Sequence, residues 1–308
     1  MAFYSPDPVM GQRLADLVQA LEQQGRPGLA GDVSISWLRY PRSLRPEGNA
    51  EPPPARGAHW RGARLRYPAS VVKLVYLVAA EAWLQRRLIL EDAELRRALA
   101  EMVRDSSNDA TALVVDLLSG TTSGPDLPAD RYADWVAQRQ LVNAWLASLQ
   151  WPELDGCNAC QKTWGDGPFG RERRFYGEAL ENRNRLSTEA TARLLQAVIA
   201  GTIVSPPAAA RMRQLLHRSL DAGERAADPE NQVDGFLGEG LPPQAQLWSK
   251  AGWMSQARHD AAYVESEGAD PFLLVVFCEG RACAEDEALL PAIARELLQA
   301  CRCPVKSG

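Results

Sequence analysis

The chain has 308 residues, 46% apolar and 24% charged, which fits a folded globular protein and excludes disorder, collagen and coiled-coil arrays. The net charge of −5 does not suggest a nucleic-acid-binding surface. Only four of the 34 basic residues are Lys (Lys73, Lys162, Lys250 and Lys306), and there are three His, so a general base has to come from these or from a carboxylate, because Arg stays protonated.

The start, MAFYSPDPVM, lacks the basic and apolar regions of a signal peptide. The longest apolar runs, 71–80 and 272–278, fall short of the roughly 18 residues of a membrane helix. The expectation is a soluble, cytoplasmic chain that meets neither membrane nor nucleic acid. Residues 11–25 carry Leu14, Leu17, Val18 and Leu21 at helical spacing and end at Gly25. Residues 32–40 alternate as a strand, the proline-rich stretch 41–57 is a loop, and 59–66 reads as a second strand. A helix starts at Pro68, where the missing N–H costs nothing, and runs to Gln85. Helical segments follow at 90–104, 108–118, 132–149, 188–200 and 207–219, interrupted by a Gly/Pro/Trp-rich loop at 151–175. Strands return at 246–253, 259–266 and 272–278, and a last helix spans 285–301.

This order predicts an α+β sandwich: one five-stranded sheet flanked by the N- and C-terminal helices, with an all-helical insertion between strands two and three. The chain is expected to be a single domain, residues 1–84 plus 231–308 forming the sheet part and 85–230 the helical part.

Six Cys stand at 157, 160, 278, 283, 301 and 303. Cys157-x-x-Cys160 has metal-like spacing, and Cys301-x-Cys303 could complete a set of four ligands. No second C-x-x-C and no His pair accompanies them, so the simpler reading is free thiols in a reducing compartment, with no metal and no cofactor.

The sequence has no G-x-S-x-G elbow, P-loop, H-E-x-x-H or dinucleotide-binding glycine pattern. Ser70-Val71-Val72-Lys73 stands out, because i and i+3 share a helical face and bring the Lys amine near the Ser hydroxyl. The helix N-terminus favours a developing alkoxide, and a buried Lys can lose its proton. The plain alternative is a helix-start Ser beside a snorkelling Lys. Ser106-Ser107-Asn108 precedes an apolar helix, which Asn108 or Asp109 could simply cap. Ser249-Lys250-Ala251-Gly252-Trp253 lies in a predicted strand. A Gly inside a strand often marks the close approach of another backbone or a ligand, although a Lys there also suits a protected edge.

S-x-x-K, S-x-N and a variant of K-[T/S]-G, in that order on helix, turn and strand, resemble the serine β-lactamase and penicillin-binding protein superfamily. MVRDSSNDATALVVDLL and SKAGWMSQARHDAAYVE are similar to class A β-lactamase-like serine hydrolases in particular. The resemblance covers residues 12 to 300 and implies an antiparallel sheet. It also implies catalytic roles for Ser70 as acylated nucleophile, Lys73 as base, Ser106 as proton relay to the leaving nitrogen, and Lys250 as a positive charge for a substrate carboxylate. Asn108 would bind the substrate amide. Gly252 and Trp253 would belong to the substrate-binding strand, with the N–H groups of Ser70 and Trp253 forming the oxyanion hole.

The pattern departs from the family at four points. Ala251 stands where a hydroxyl residue is usual, which removes a bond to a substrate carboxylate. Ser107 replaces an Asp. Only 36 positions separate Ser70 from Ser106, so a wall of the cleft is expected to be missing. No clean E-x-x-L-N loop is present; Glu172 and Glu178 are the nearest candidates to activate a deacylating water, and either could be an ordinary surface Glu. The expected activity is hydrolysis of a β-lactam or related small amide or ester through an acyl-enzyme. The alternatives are a penicillin-binding, carboxypeptidase-like or esterase-like enzyme with weak β-lactamase activity, a glutaminase-like amidase, or a catalytically silent binding protein.

Overall fold

The structure is a computed structural model that describes residues 2–46 and 51–302, so Cys303 and Lys306 lie outside the described residues. Its sheet has seven strands: β1 (Ser5–Pro6), β2 (Val33–Arg39), β3 (Arg56–Trp60), β4 (His217–Arg218), β5 (Gln246–Met254), β6 (Ala257–Glu265) and β7 (Phe272–Glu279). Their order is β1-β3-β2-β7-β6-β5-β4. All neighbours are antiparallel except β1 and β3. The five long strands are the five expected from the sequence. The two additions are edge strands of two residues each, too short to carry an alternating pattern. The second strand sits earlier than the predicted 59–66. It ends at Trp60 because Arg61 takes a φ of +49°. Gly62 then folds back and donates its N–H to His59 Nδ1 at 3.1 Å.

The helices are α1 (Pro8–Gln23), α2 (Leu29–Asp32), α3 (Val72–Gln85), α4 (Ala93–Arg104), α5 (Asn108–Ser119), α6 (Ala129–Arg139) and α7 (Leu141–Ser148). They continue as α8 (Gly170–Tyr176), α9 (Thr188–Ala200), α10 (Pro206–Leu216), α11 (Ala222–Ala227), α12 (Arg281–Glu285) and α13 (Leu289–Cys301). The predicted helix 132–149 is therefore two helices that meet at Gln140. Among the described residues no helix is long and apolar enough to cross a membrane.

Alternation along β7 divides the core into two layers. Leu274, Val276 and Cys278 face the terminal helices and pack with Leu14 and Val18 of α1 and Ile293 and Leu297 of α13. Leu273, Val275 and Phe277 face the other way, onto α3, α9 and the rest of the helical block. α3 is buried on all sides from Val72 to Trp83, as expected of a helix apolar around its whole circumference. That central position is what removes the Lys73 side chain from water.

The cysteines depart from the expectation of free thiols. Cys278, at the end of β7, is disulfide-bonded to Cys283 in α12, while Cys157, Cys160 and Cys301 are free. Among the described residues no group of His, Cys, Asp and Glu is arranged to hold a metal. A five-residue strand-to-helix turn brings Cys278 and Cys283 together, and no sequence spacing rule flags such a pair.

Candidate active site

Pro68 leads into a single 3-10 turn, Ala69–Val71, which runs on into α3. Ala69 has a φ of +45°, a conformation that costs an alanine roughly 1–3 kcal/mol and collects at functional sites. It puts Ser70 at the mouth of the turn, partly exposed. Ser106 has a φ of +56° and sits in the link between α4 and α5. Ser107, the residue that replaces the usual Asp, caps α5: its Oγ accepts from Ala110 N at 3.1 Å. The cap is therefore neither Asn108 nor Asp109, and Asn108 Oδ1 is left to accept from Lys73.

The third piece is β5. Gly252 leaves no room for a side chain: a Cβ there would lie 2.9 Å from both Ser70 N and Val71 N and 3.0 Å from Pro68 O. The glycine marks the close backbone approach anticipated for it, and the backbone approached is that of Ser70. Its cross-strand partner is His259, whose Nε2 bonds Tyr67 O at 2.9 Å and whose Nδ1 accepts from Cys278 N at 2.9 Å. That pattern fixes the neutral tautomer with the proton on Nε2, and burial lowers its pKa to about 4. His259 thus ties the turn before Ser70 to β6 and β7.

Ser70, Ser106, Asn108, Ala251, Gly252 and Trp253 border one cleft of about 410 Å³. Lys73 and Lys250 lie beneath it, both with no exposed surface. Lys73 Nζ donates to Ser106 O, to Ser106 Oγ at 3.2 Å and to Asn108 Oδ1 at 2.9 Å. Among the described residues no hydrogen bond joins Lys73 Nζ to Ser70 Oγ. Burial alone lowers the Lys73 pKa to about 7, since desolvation disfavours the charged form. Lys250 Nζ bonds Ser106 Oγ at 3.0 Å, Ala251 O at 2.7 Å and Gln232 Oε1. Its pKa falls well below the usual lysine value, first by burial and then by the charges of Lys73 and Arg218. The Trp253 indole is 58% exposed over the cleft and donates to Ala284 O at 3.0 Å.

The model of the β-lactamase enzyme family matches residues 82–301, well over half of the chain. The chain belongs to the β-lactamase enzyme family. The matched stretch contains Ser106, Asn108 and Lys250 and begins after Ser70 and Lys73. No curated protein matches the sequence. Solved structures of β-lactamases do. One from Sphaerobacter thermophilus is 18% identical with a TM-score of 0.62, covering 93% of this chain and 95% of that one. One from Xanthomonas campestris is 16% identical with a TM-score of 0.60, covering 92% and 97%. A structure of PBP-A is 14% identical with a TM-score of 0.61, covering 96% and 97%. At these identities the likeness is one of fold.

Two residues of this candidate site have no signature in the sequence. Gln232 donates to Val103 O at 3.0 Å and Arg104 O at 2.6 Å, and accepts from Ala251 N at 3.2 Å as well as from Lys250. Arg218 donates to the same two carbonyls, at 2.6 and 3.0 Å, and burial lowers its pKa to about 10. Those carbonyls end α4, where helical partners run out and the dipole is negative. Gln232 and Arg218 therefore fix the turn that carries Ser106. The two α4 carbonyls they hold are more than 100 positions away from them, beyond the reach of any local pattern.

The two carboxylates proposed from sequence for deacylation lie elsewhere. Glu172 is fully buried, and its Oε1 accepts from Arg139, and from Ser123 Oγ at 2.9 Å. Lys162 Nζ stands 3.8 Å away and is bound to Asp116 at 2.7 Å. Glu178 is exposed. Neither borders the cleft.

Proposed function

We propose that the chain is a serine hydrolase that opens β-lactams or related small amides and esters through an acyl-enzyme on Ser70. The observation that carries this reading is Lys73: a fully buried amine, poised near neutrality, one helical turn from a cleft-facing serine. An ammonium held by three acceptors is the resting state. Loss of its proton frees a lone pair, and the i to i+3 spacing brings that lone pair to Ser70 Oγ. Contacts of this kind are often long without substrate and tighten with it. Ser70 Oγ attacks the carbonyl carbon and its proton passes to Lys73. Ser106 Oγ, bonded to both lysines, donates its proton to the leaving nitrogen and is reprotonated from Lys73. The C–N bond breaks and the acyl group stays on Ser70. The N–H groups of Ser70 and Trp253 serve as the oxyanion hole, and Asn108 serves the substrate amide.

A second reading shares the acylation and differs in the release. Glu172 is committed to Arg139 and Ser123, which favours a long-lived acyl-enzyme of the penicillin-binding kind. A mutant of PBP-A, a protein whose fold the chain shares, has been captured as an acyl-enzyme complex with penicillin G. Turnover of a chromogenic cephalosporin by the wild type and by Ser70→Ala decides between them. Continuous Ser70-dependent turnover supports a hydrolase, a stoichiometric burst supports the slow-release reading, and turnover retained by Ser70→Ala sinks both.

A further inference from the structure

We infer that the Gln232 carboxamide occupies the corner where a substrate carboxylate would dock, so that the cleft takes acyl donors whose group at that corner is uncharged or cationic. The inference rests on the acyl-enzyme reading above and concerns recognition within that site.

Lys250 has no hydrogen-bonding position left for a ligand. Its Nζ is bonded to Ser106 Oγ, Ala251 O and Gln232 Oε1. An ammonium has three N–H groups and a neutral amine two and a lone pair, so either form is used up. Lys250 does not border the cleft, whereas Gln232 does. Gln232 Oε1 takes the Lys250 amine and the Ala251 N–H together, a side-chain donor and a backbone donor such as one carboxylate oxygen would use. Its Nε2 is held by Val103 O and Arg104 O. All the bonding capacity of the carboxamide is engaged, and the residue is only 6% exposed. Ala251, with no hydroxyl, adds no replacement donor.

The cleft wall has the opposite sign to a carboxylate receptor. Asp105, Glu230, Asp234 and Glu287 all border it. Asp234 pairs with Arg225 at 2.7 Å and Glu287 with Arg258 at 3.4 Å. Asp105 and Glu230 are exposed and have no ion pair among the described residues. Arg258, the cleft's one arginine among the described residues, is nearly buried and also donates to Ala284 O at 3.0 Å and Gly235 O at 3.2 Å. Four carboxylates against one arginine leave the wall with an excess of negative charge, and charge in excess on a concave wall focuses its field into it. An incoming carboxylate meets that field at a corner where neither Lys250 nor Gln232 has a free donor, and an ammonium is drawn in.

The test uses three ligands with one acyl part: benzylpenicillin, its methyl ester and its 2-aminoethyl amide, which are anionic, neutral and cationic at the same corner. Binding to Ser70→Ala, read by calorimetry, reports recognition alone; adduct formation with the wild type reports acylation. The ester and the aminoethyl amide should bind at least about tenfold more tightly than the free acid, and Gln232→Ala should improve the acid by a similar factor, the usual worth of a hydrogen bond to a charged group. Asp105→Asn with Glu230→Gln, both at exposed positions, should weaken only the aminoethyl amide, by about two- to fivefold. These surface variants decide the matter if Gln232→Ala does not fold. The inference is overturned if the free acid binds best, if the double variant weakens all three alike, or if none binds. A clear ranking without any Ser70 adduct would overturn the acylation reading and leave the recognition inference standing.

Discussion

Gly252→Ala perturbs the site through one methyl group. The glycine lies in extended backbone outside the left-handed region, so an alanine meets no conformational penalty there. What it meets is Ser70 N and Val71 N at 2.9 Å and Pro68 O at 3.0 Å, where ordinary contact begins at 3.4 Å. All three are backbone atoms and cannot swing aside. β5 and the Ser70 turn have to separate by about 0.5 Å (3.4 − 2.9). Overpacking of this kind costs about 1–3 kcal/mol. The functional loss should be larger, because the displaced group is the Ser70 N–H that would face the oxyanion, and misplacements approaching 1 Å cost about 10²-fold in rate. The assay is the second-order rate of Ser70 acylation by a chromogenic cephalosporin, set beside urea unfolding of the same variant. A stable variant that acylates at the wild-type rate refutes the argument, since β5 would then not set the position of Ser70.

Three further outcomes follow from the same geometry. Acylation should rise with pH through about 7 and then level off, because Lys73 acts as a base only when neutral and its pKa lies there; Lys73→Arg, which cannot give up its proton, should lose about 10²–10⁴ in rate on the plateau above pH 7 and lose the pH dependence with it, and a pH-independent wild-type rate would contradict the assignment. Glu172→Ala should cost about 3 kcal/mol in urea unfolding by leaving buried Arg139 with only the more distant Asp116, at 3.6 Å, with the acyl-enzyme lifetime unchanged well below the melting temperature; a longer lifetime at unchanged stability would make Glu172 the deacylating base after all. Asp260→Asn should make stability fall more steeply between pH 6.5 and 4: His259, lowered from 6.5 to about 4, loses its stabilising contribution as pH falls, while Asp260, raised from 3.8 to about 7, loses its own as pH rises, so the two oppose one another in the wild type. Equal slopes in the two proteins, measured by urea unfolding across that range, would refute the opposition.

The parts of the site that can be read from the sequence are those whose chemistry is local. Ser70 and Lys73 share a helical face, Ser106 and Asn108 flank one turn, and Lys250 and Gly252 alternate on one strand, so each pair is set by spacing alone. The structure brings Ser70, Ser106, Asn108 and Gly252 to one cleft and sets the two buried lysines beneath it. The five long strands were equally legible, since nearly every residue of β5, β6 and β7 is buried. Gln232 was not, because its partners come from α4 and β5 and nothing in NQVDGF anticipates them. The fate of Glu172 was hidden for the same reason: a Glu among arginines reads as solvated, yet α8 turns it inward to Arg139 of α6. Lys162, which had no role in the sequence, joins that buried group. β1 and β4 escape any periodic reading at two residues each.

The most direct measurement for the central claim is peptide-mapped mass spectrometry of the wild type quenched within seconds of adding an excess of a β-lactam. The account predicts one adduct with the mass of the intact β-lactam, on the peptide that contains Ser70, and none in Ser70→Ala. An adduct on another residue, or a Ser70→Ala variant that still consumes the β-lactam, would contradict it.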